Sequence, residues 1–266
     1  MLSYQHDYHA GGPADVHKHA SLAVILARMT AKDQPMTYIE SHSGGGVYDL
    51  ESPMAAKTGE AQQGIQRLLA HGMPREDHPY RQVIEKIRAR FGPAHYPGSP
   101  WLARLSLRPA DSIHLMELHP GTLAQLRQTF RGEKNVHIHH RNGYEGVLAL
   151  LPPTPRRCLV LVDPSYEVKT EYEQVGQLIP KIHRKCPGAV IMVWYPLLKD
   201  HLHPGLCHQL ERSELPKFAR REVFIAEPQT TRRMYGSGLM FVNLPHGVDE
   251  ALAEVDQFVP QRDTES

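Results

Sequence analysis

The sequence predicts an α/β fold, a mainly parallel seven-stranded sheet with helices on both faces. Three observations predict it. Seven short apolar runs recur along the chain, at 36–40, 112–117, 135–139, 158–163, 189–195, 221–226 and 238–243. Between several of them lie stretches with helical spacing, such as Leu123 to Phe130 and Tyr172 to His183, and strands alternating with helices build parallel sheets. The run Cys158 to Val162 is continuously apolar, as a strand buried on both faces requires.

Bulk properties narrow the setting. With 266 residues, 41% hydrophobic and 22% charged, the chain can bury one large core. No apolar run approaches the ~18 residues that span a bilayer, and the first residues lack the charged and apolar regions of a signal peptide. Three scattered cysteines, Cys158, Cys186 and Cys207, fit a reducing cytoplasm better than a disulfide framework. A net charge of +1 neither demands nor excludes nucleic acid, so any RNA contact must rest on local basic residues. A cytoplasmic protein with no membrane association is expected, and a monomer.

Taken in order, residues 15–30 read as a helix with Asp15 as an acidic N-cap. The strand Met36 to Ile39 runs into Glu40-Ser41-His42-Ser43-Gly44-Gly45-Gly46, an acidic-x-x-x-Gly-x-Gly turn. That is not the spacing of a pyrophosphate cradle; these glycines let backbone approach an uncharged part of a ligand. Residues 50–98 fit the alternation poorly. Two helices, around 57–70 and 78–91, are expected there, separated by Gly72-Met73-Pro74, as a small helical insertion or as ordinary crossover helices. The next strand, from Ser112, ends on Glu117, where a carboxylate usually accepts ribose hydroxyls. Such an acid usually follows the glycine turn by roughly 20 residues, whereas here 71 separate Gly46 from Glu117, which favours the insertion. The run at 221–226 reads as an edge strand. Met234-Tyr235-Gly236-Ser237-Gly238 reads as a hairpin turn before the last strand.

The fourth run ends in Asp163-Pro164-Ser165-Tyr166. Proline lacks the N–H to continue a central ladder, so the strand stops. A carboxylate, a free carbonyl and an aromatic ring are thereby delivered to the carboxyl edge of the sheet, where open α/β sheets bind ligands. Methyl transfer to an exocyclic amine is one of the few chemistries that needs this grouping.

The Glu40 turn followed by Asp163-Pro164-Ser165-Tyr166 resembles the amino-group methyltransferases that use S-adenosylmethionine. More narrowly, six blocks resemble the bacterial 23S rRNA adenine-N6 methyltransferase family RlmJ over almost the whole chain. They are Tyr4-x-His6-x-x-x-His9-Ala-Gly, Ala14-Asp15-x-x-Lys18-His19, the Ser-His-Ser-Gly-Gly-Gly turn, Tyr96-Pro97-Gly98-Ser99-Pro100, Glu117-Leu-His119-Pro120 and Trp194-Tyr195-Pro196. The resemblance implies a Rossmann-like class I methyltransferase, with 1–49 and 99–266 as the methyltransferase domain and 50–98 as an insertion. It implies S-adenosylmethionine as cofactor, no metal, and 23S rRNA as partner. His19, His42, Gly44, Ser99, Glu117, Asn142, Gly143 and Asp163 would surround the cofactor. Tyr4, His6, Lys18 and Tyr166 would meet the substrate, and only the resemblance brings residues 1–19 to the site. Asp163 and the Pro164 carbonyl would accept the two N6 hydrogens of an extruded adenine while Tyr166 stacks on it.

Two positions depart from the family. Ser165 stands where relatives have proline, which leaves the amine-accepting carbonyl of Pro164 in place but costs the loop rigidity. Asn142 stands where relatives tend to have aspartate, which changes donor and acceptor polarity near the cofactor adenine.

Other features read as structural. In His137-x-His139-His140 two rings share a strand face and the third points away, so no three converge on a metal. Arg156-Arg157 and Arg232-Arg233 read as solvated surface before RNA contacts. DNA adenine or a protein glutamine amide remains open as the acceptor, as does a non-catalytic RNA-binding protein on the same fold.

Overall fold

A computed structural model describes residues 8–226 and 234–259 of the chain. The main sheet has seven strands, here β1 (Thr37–Glu40), β2 (Ser112–Met116), β3 (Val136–His139), β4 (Cys158–Val162), β5 (Val190–Leu198), β6 (Ala219–Phe224) and β7 (Met234–Val242). Their spatial order is β3-β2-β1-β4-β5-β7-β6. The first five pair in parallel, and β7 runs antiparallel between β5 and β6. All seven expected strands are present, and the run expected at the edge is the edge strand β6.

Strand periodicity divides the core in two. Leu159 and Leu161 of β4 face a cluster that includes the helices Pro13–Thr30, Ser99–Ser106 and Asp249–Phe258, while Val160 and Val162 face the helices Glu171–Lys185 and His203–Glu211. Every residue of β1 and β4 is buried; β4 therefore reads as an unbroken apolar run without surface alternation, while β1 ends on the buried acid Glu40.

Several local expectations are corrected. The first helix begins at Pro13 with Gly12 as N-cap, and Asp15 sits one turn inside, accepting the Gly11 N–H at 3.1 Å. The helix expected at 57–70 is three pieces, Pro53–Thr58, Glu60–Gln63 and Ile65–His71. It breaks at Gly59, in left-handed backbone (φ 63°), and at Gly64, where a Cβ would lie 2.1 Å from the Gly11 carbonyl. Close approach of the first helix decides that break. Met234 to Gly238 are not a turn but the start of β7; the Tyr195 ring covers Gly238, where a Cβ would lie 2.2 Å from it. A third histidine joins His137 and His139: His114 of β2 stacks on both, at 4.8 and 5.4 Å, because neighbouring strands place them in register. The rings lie within 24° and 14° of parallel, and His114 Nδ1 shares a hydrogen bond with His139 Nε2 at 3.1 Å.

The segment between β1 and β2 is bracketed by an antiparallel ribbon, Val47–Asp49 with His95–Pro97. Its helix Pro79–Phe91 buries Tyr80, Val83, Ile84 and Ile87 in the same cluster as the first helix. Replacing the fully buried Ile87 by alanine should therefore lower global stability by about 2–5 kcal/mol in urea unfolding. An unchanged midpoint would show that residues 50–98 fold apart from the main core.

Candidate functional site

Strand order reverses between β1 and β4, and the carboxyl ends of β1, β2 and β4 deliver Glu40, Glu117 and Asp163 to the edge where ligands bind in such sheets. Asp163 follows β4 directly. Its Oδ2 lies 2.7 Å from Lys18 Nζ, which reaches across from the first helix and also meets Asp15 Oδ1 at 3.0 Å. Lys18 is buried, with its ammonium 5.5 Å from the centre of the Trp194 ring. Burial works against its charge, but Asp15 and Asp163 outweigh that and hold the ammonium above its ordinary range. The backbone N–H of Asp163 donates to Ser41 Oγ at 3.3 Å, and Ser41 Oγ shares a hydrogen bond with His42 Nδ1 at 2.8 Å.

The glycine turn is fixed by backbone geometry. Gly44 and Gly46 adopt φ of 63° and 87°, which side-chain-bearing residues rarely do. The Gly44 N–H donates to Glu117 Oε2 at 3.0 Å, and the His119 N–H donates to Glu117 Oε1 at 2.7 Å. Each carboxylate oxygen retains acceptor capacity for a ligand hydroxyl. Ser43 Oγ is buried in this turn and has no hydrogen-bond partner among the described residues. Loss of water around the His42 ring lowers its pKa to about 4, so the imidazole is neutral at physiological pH.

Glu40 is fully buried, accepting from Tyr38 Oη at 3.0 Å and from Ser99 Oγ of the next helix. Burial pushes its pKa up to about 8; the bonds from Ser99 and Tyr38 and the charge of Lys18 oppose this, while that of Asp163 adds to it. At neutral pH this acid is mostly uncharged.

The remaining expected residues are placed as follows. His19 is buried, with Nδ1 2.8 Å from Tyr96 Oη and Nε2 3.8 Å from Asp15. Asn142 is the N-cap of the helix Gly143–Leu150, its Oδ1 accepting the Tyr144 and Glu145 N–H groups at 3.0 and 3.3 Å. Its side-chain NH2 is the part left for a ligand. Gly143 is required by packing, since a Cβ there would lie 1.9 Å from the Ser41 carbonyl. Tyr166, in left-handed backbone at φ 55°, is 2% exposed. It donates to the Trp194 carbonyl at 2.8 Å and packs 4.5 Å from Tyr172. Tyr4 and His6 lie outside the described residues, as do Arg232 and Arg233.

Ser165 is not simply a softer proline. Its Oγ donates to Glu171 Oε2 and accepts the Glu167 N–H, each over a long 3.4 Å, restraints that a proline side chain could not supply. Sequence reasoning missed Asp15, Glu40, Ser41, Ser43 and Trp194 as site residues. The Asp15-x-x-Lys18 spacing on a helix signals the first; nothing local signals Ser41. Among the described residues no group of three or more His, Cys, Asp or Glu is arranged to hold a metal ion, and no helix is long and apolar enough to cross a membrane.

The comparisons with known proteins agree with one another. A family model described as "Ribosomal RNA large subunit methyltransferase D, RlmJ" matches residues 33–266. "Ribosomal RNA large subunit methyltransferase J" of Escherichia coli (strain K12) is 34% identical over 256 residues, which is 96% of this chain and 91% of that protein. The protein of the same name from Haemophilus influenzae is 35% identical over 259 residues, 96% of this chain and 92% of its own. A crystal structure of a Legionella pneumophila protein matches with a TM-score of 0.84 at 33% identity, covering 94% of this chain and 92% of that one.

The raised pKa of Glu40 fixes the sign of a pH effect. The folded state holds this proton more tightly than the unfolded chain, so the contribution to stability is complete below about 4.5 and is lost as pH rises through about 8. Glu40→Gln imitates the neutral acid. Stability of wild type relative to this variant should fall between pH 5 and 8; a flat difference would mean that Glu40 is ionised throughout.

Proposed function

The chain belongs to the RlmJ family of large-subunit ribosomal RNA methyltransferases, and from that premise we propose that it methylates N6 of an adenosine in 23S rRNA with S-adenosylmethionine as donor. The observation that carries the reading is Asp163 at the carboxyl end of β4, beside the switch point and held by a buried ammonium.

The residues present fit the cofactor. The glycine turn brings backbone close, Ser43 Oγ is a buried polar atom in need of a partner, and Glu117 keeps acceptor sites for ribose hydroxyls. By resemblance, His19, His42, Gly44, Ser99, Glu117, Asn142 and Gly143 would surround it. Bound there, S-adenosylmethionine supplies an electrophilic methyl group on a sulfonium.

An adenine N6 amine is a weak nucleophile because its lone pair is delocalised into the ring. Asp163 Oδ1 and the Pro164 carbonyl accept its two hydrogens in this mechanism, which localises the lone pair toward the incoming methyl. Lys18 bonds Oδ2, which fixes the orientation of the carboxylate and leaves Oδ1 toward the amine in this mechanism. The surplus proton leaves N6 for Asp163, directly or through water. The base must be extruded to reach this pocket. Tyr166, by resemblance a base-stacking residue, is buried and supports the wall through its bond to the Trp194 carbonyl and its packing on Tyr172. Tyr4 and His6 are assigned to substrate contact by resemblance alone. We further read 1–49 and 99–266 as the methyltransferase domain interrupted by 50–98, acting as a cytoplasmic monomer.

The test is labelled methyl transfer to 23S rRNA lacking the modification, followed by nucleoside digestion. N6-methyladenosine should appear with wild type and fall by about 10²–10⁴ in rate with Asp163→Ala, the loss expected when a positioned acid–base group is removed. No transfer by wild type, or equal transfer by the variant, refutes the mechanism. Label on DNA or on a glutamine amide instead would reassign the acceptor.

A further inference from the structure

We propose that Phe224, backed by Tyr235, His201 and His203, is a stacking platform for an unpaired RNA base flanking the target nucleotide. The proposal rests on RNA being the substrate. Topology puts these rings on the substrate edge. Val193 of β5 pairs with Val162, the last residue of β4, yet β5 continues to Leu198. Five further residues at about 3.3 Å each carry the β5-β7-β6 corner roughly 15 Å beyond the end of β4. Phe224 stands on that overhang, since Leu197 and Phe224 both pair with Gly236. The catalytic motif therefore lies at the foot of a wall whose rim carries the rings.

The rim is rigid behind and open in front. Phe224 is 57% exposed and stacks on Tyr235 with ring centres 6.3 Å apart and planes within 7°. Tyr235 and His203 are buried, and His203 is in turn stacked over Tyr195 at 6.2 Å. His201 closes the group, 6.0 Å from Tyr235 and 6.2 Å from His203. It holds left-handed backbone at φ 47°, a conformation that imidazole-bearing residues adopt at a cost. A ring already fixed by its neighbours loses little freedom when a base is laid on it.

The rim is continuous with the motif loop. Val168, also 57% exposed, follows Tyr166 by two residues, and the adjoining Lys169 lies 3.7 Å from Asp200, next to His201. Flat aromatic and imidazole faces with a nearby exposed ammonium match single-stranded RNA, in which unstacked bases lie on such rings and phosphates meet cations. A second copy of the chain is a poorer occupant, because one exposed ring and its rim are far from the ~800 Å² per partner that a stable dimer buries.

The experiment measures methylation of unmodified rRNA by wild type, Phe224→Ala, Phe224→Leu and Phe224→Tyr, with the melting temperature of each. Phe224→Ala should raise the RNA KM by roughly 5- to 150-fold, the loss expected for one base stack. Its kcat and its KM for S-adenosylmethionine should not change. Phe224→Tyr should restore the RNA KM and Phe224→Leu should not. A wild-type KM for Phe224→Ala overturns the platform while leaving the reaction intact, and so does full rescue by leucine, which marks a merely apolar contact. Loss of a dimer in Phe224→Ala overturns it in favour of a second copy. Absence of rRNA methylation by wild type overturns the reading on which the platform rests, a result separate from any Phe224 comparison.

Discussion

One buried ammonium holds the site together. Lys18 belongs to the first helix and Asp163, 145 residues away, follows the last residue of β4; their 2.7 Å contact fixes the helix against the carboxyl end of that strand. Asp15 completes the group from one turn earlier and pins the Gly11 backbone. Two carboxylates this close are tolerable only with the cation between them, and a broken buried pair typically costs about 3–5 kcal/mol. The helix can neither slide nor turn without separating these charges. One residue on, His19 continues the network through Tyr96 Oη to Tyr80 Oη at 3.1 Å. The helix Pro79–Phe91 is thereby tied through Tyr80 to the same anchor.

The three strand-end acids illustrate how one sheet edge accommodates several carboxyl groups. Glu40 is fully buried and stays mostly neutral, hydrogen-bonded by Tyr38 and Ser99. Glu117 is bound by two backbone N–H groups from the loops that it joins. Asp163 is held by Lys18. Three chemically similar residues thus differ in charge, donors and freedom; the proposed roles of Glu117 as hydroxyl acceptor and Asp163 as amine acceptor rest on those differences.

The strand pattern was legible because burial on both faces leaves an unmistakable run of apolar residues, and Asp163-Pro164 marked its end by removing a backbone donor. The edge position of β6 was legible from its polar composition. Where the reading failed, the cause lay elsewhere in the chain. The 57–70 helix breaks because Gly64 meets the Gly11–Gly12 backbone, a contact that no window of local sequence contains. At Ser165 the rigidity that a proline would give is partly replaced by long contacts of Oγ with Glu171 and the Glu167 N–H. His114 joined His137 and His139 only through strand register.

By itself the sequence determined the α/β class, the seven strands and the chemical identity of the motif residues, since apolar periodicity and backbone-specific residues act over a few positions. Tertiary structure alone decided which residues meet: Lys18 with Asp163, Ser41 with the Asp163 N–H, Glu117 with Gly44, and Tyr166 with Trp194. Such contacts join residues tens to more than a hundred positions apart, and the charges, bonds and ring stacks they create exist only after the chain has closed on itself.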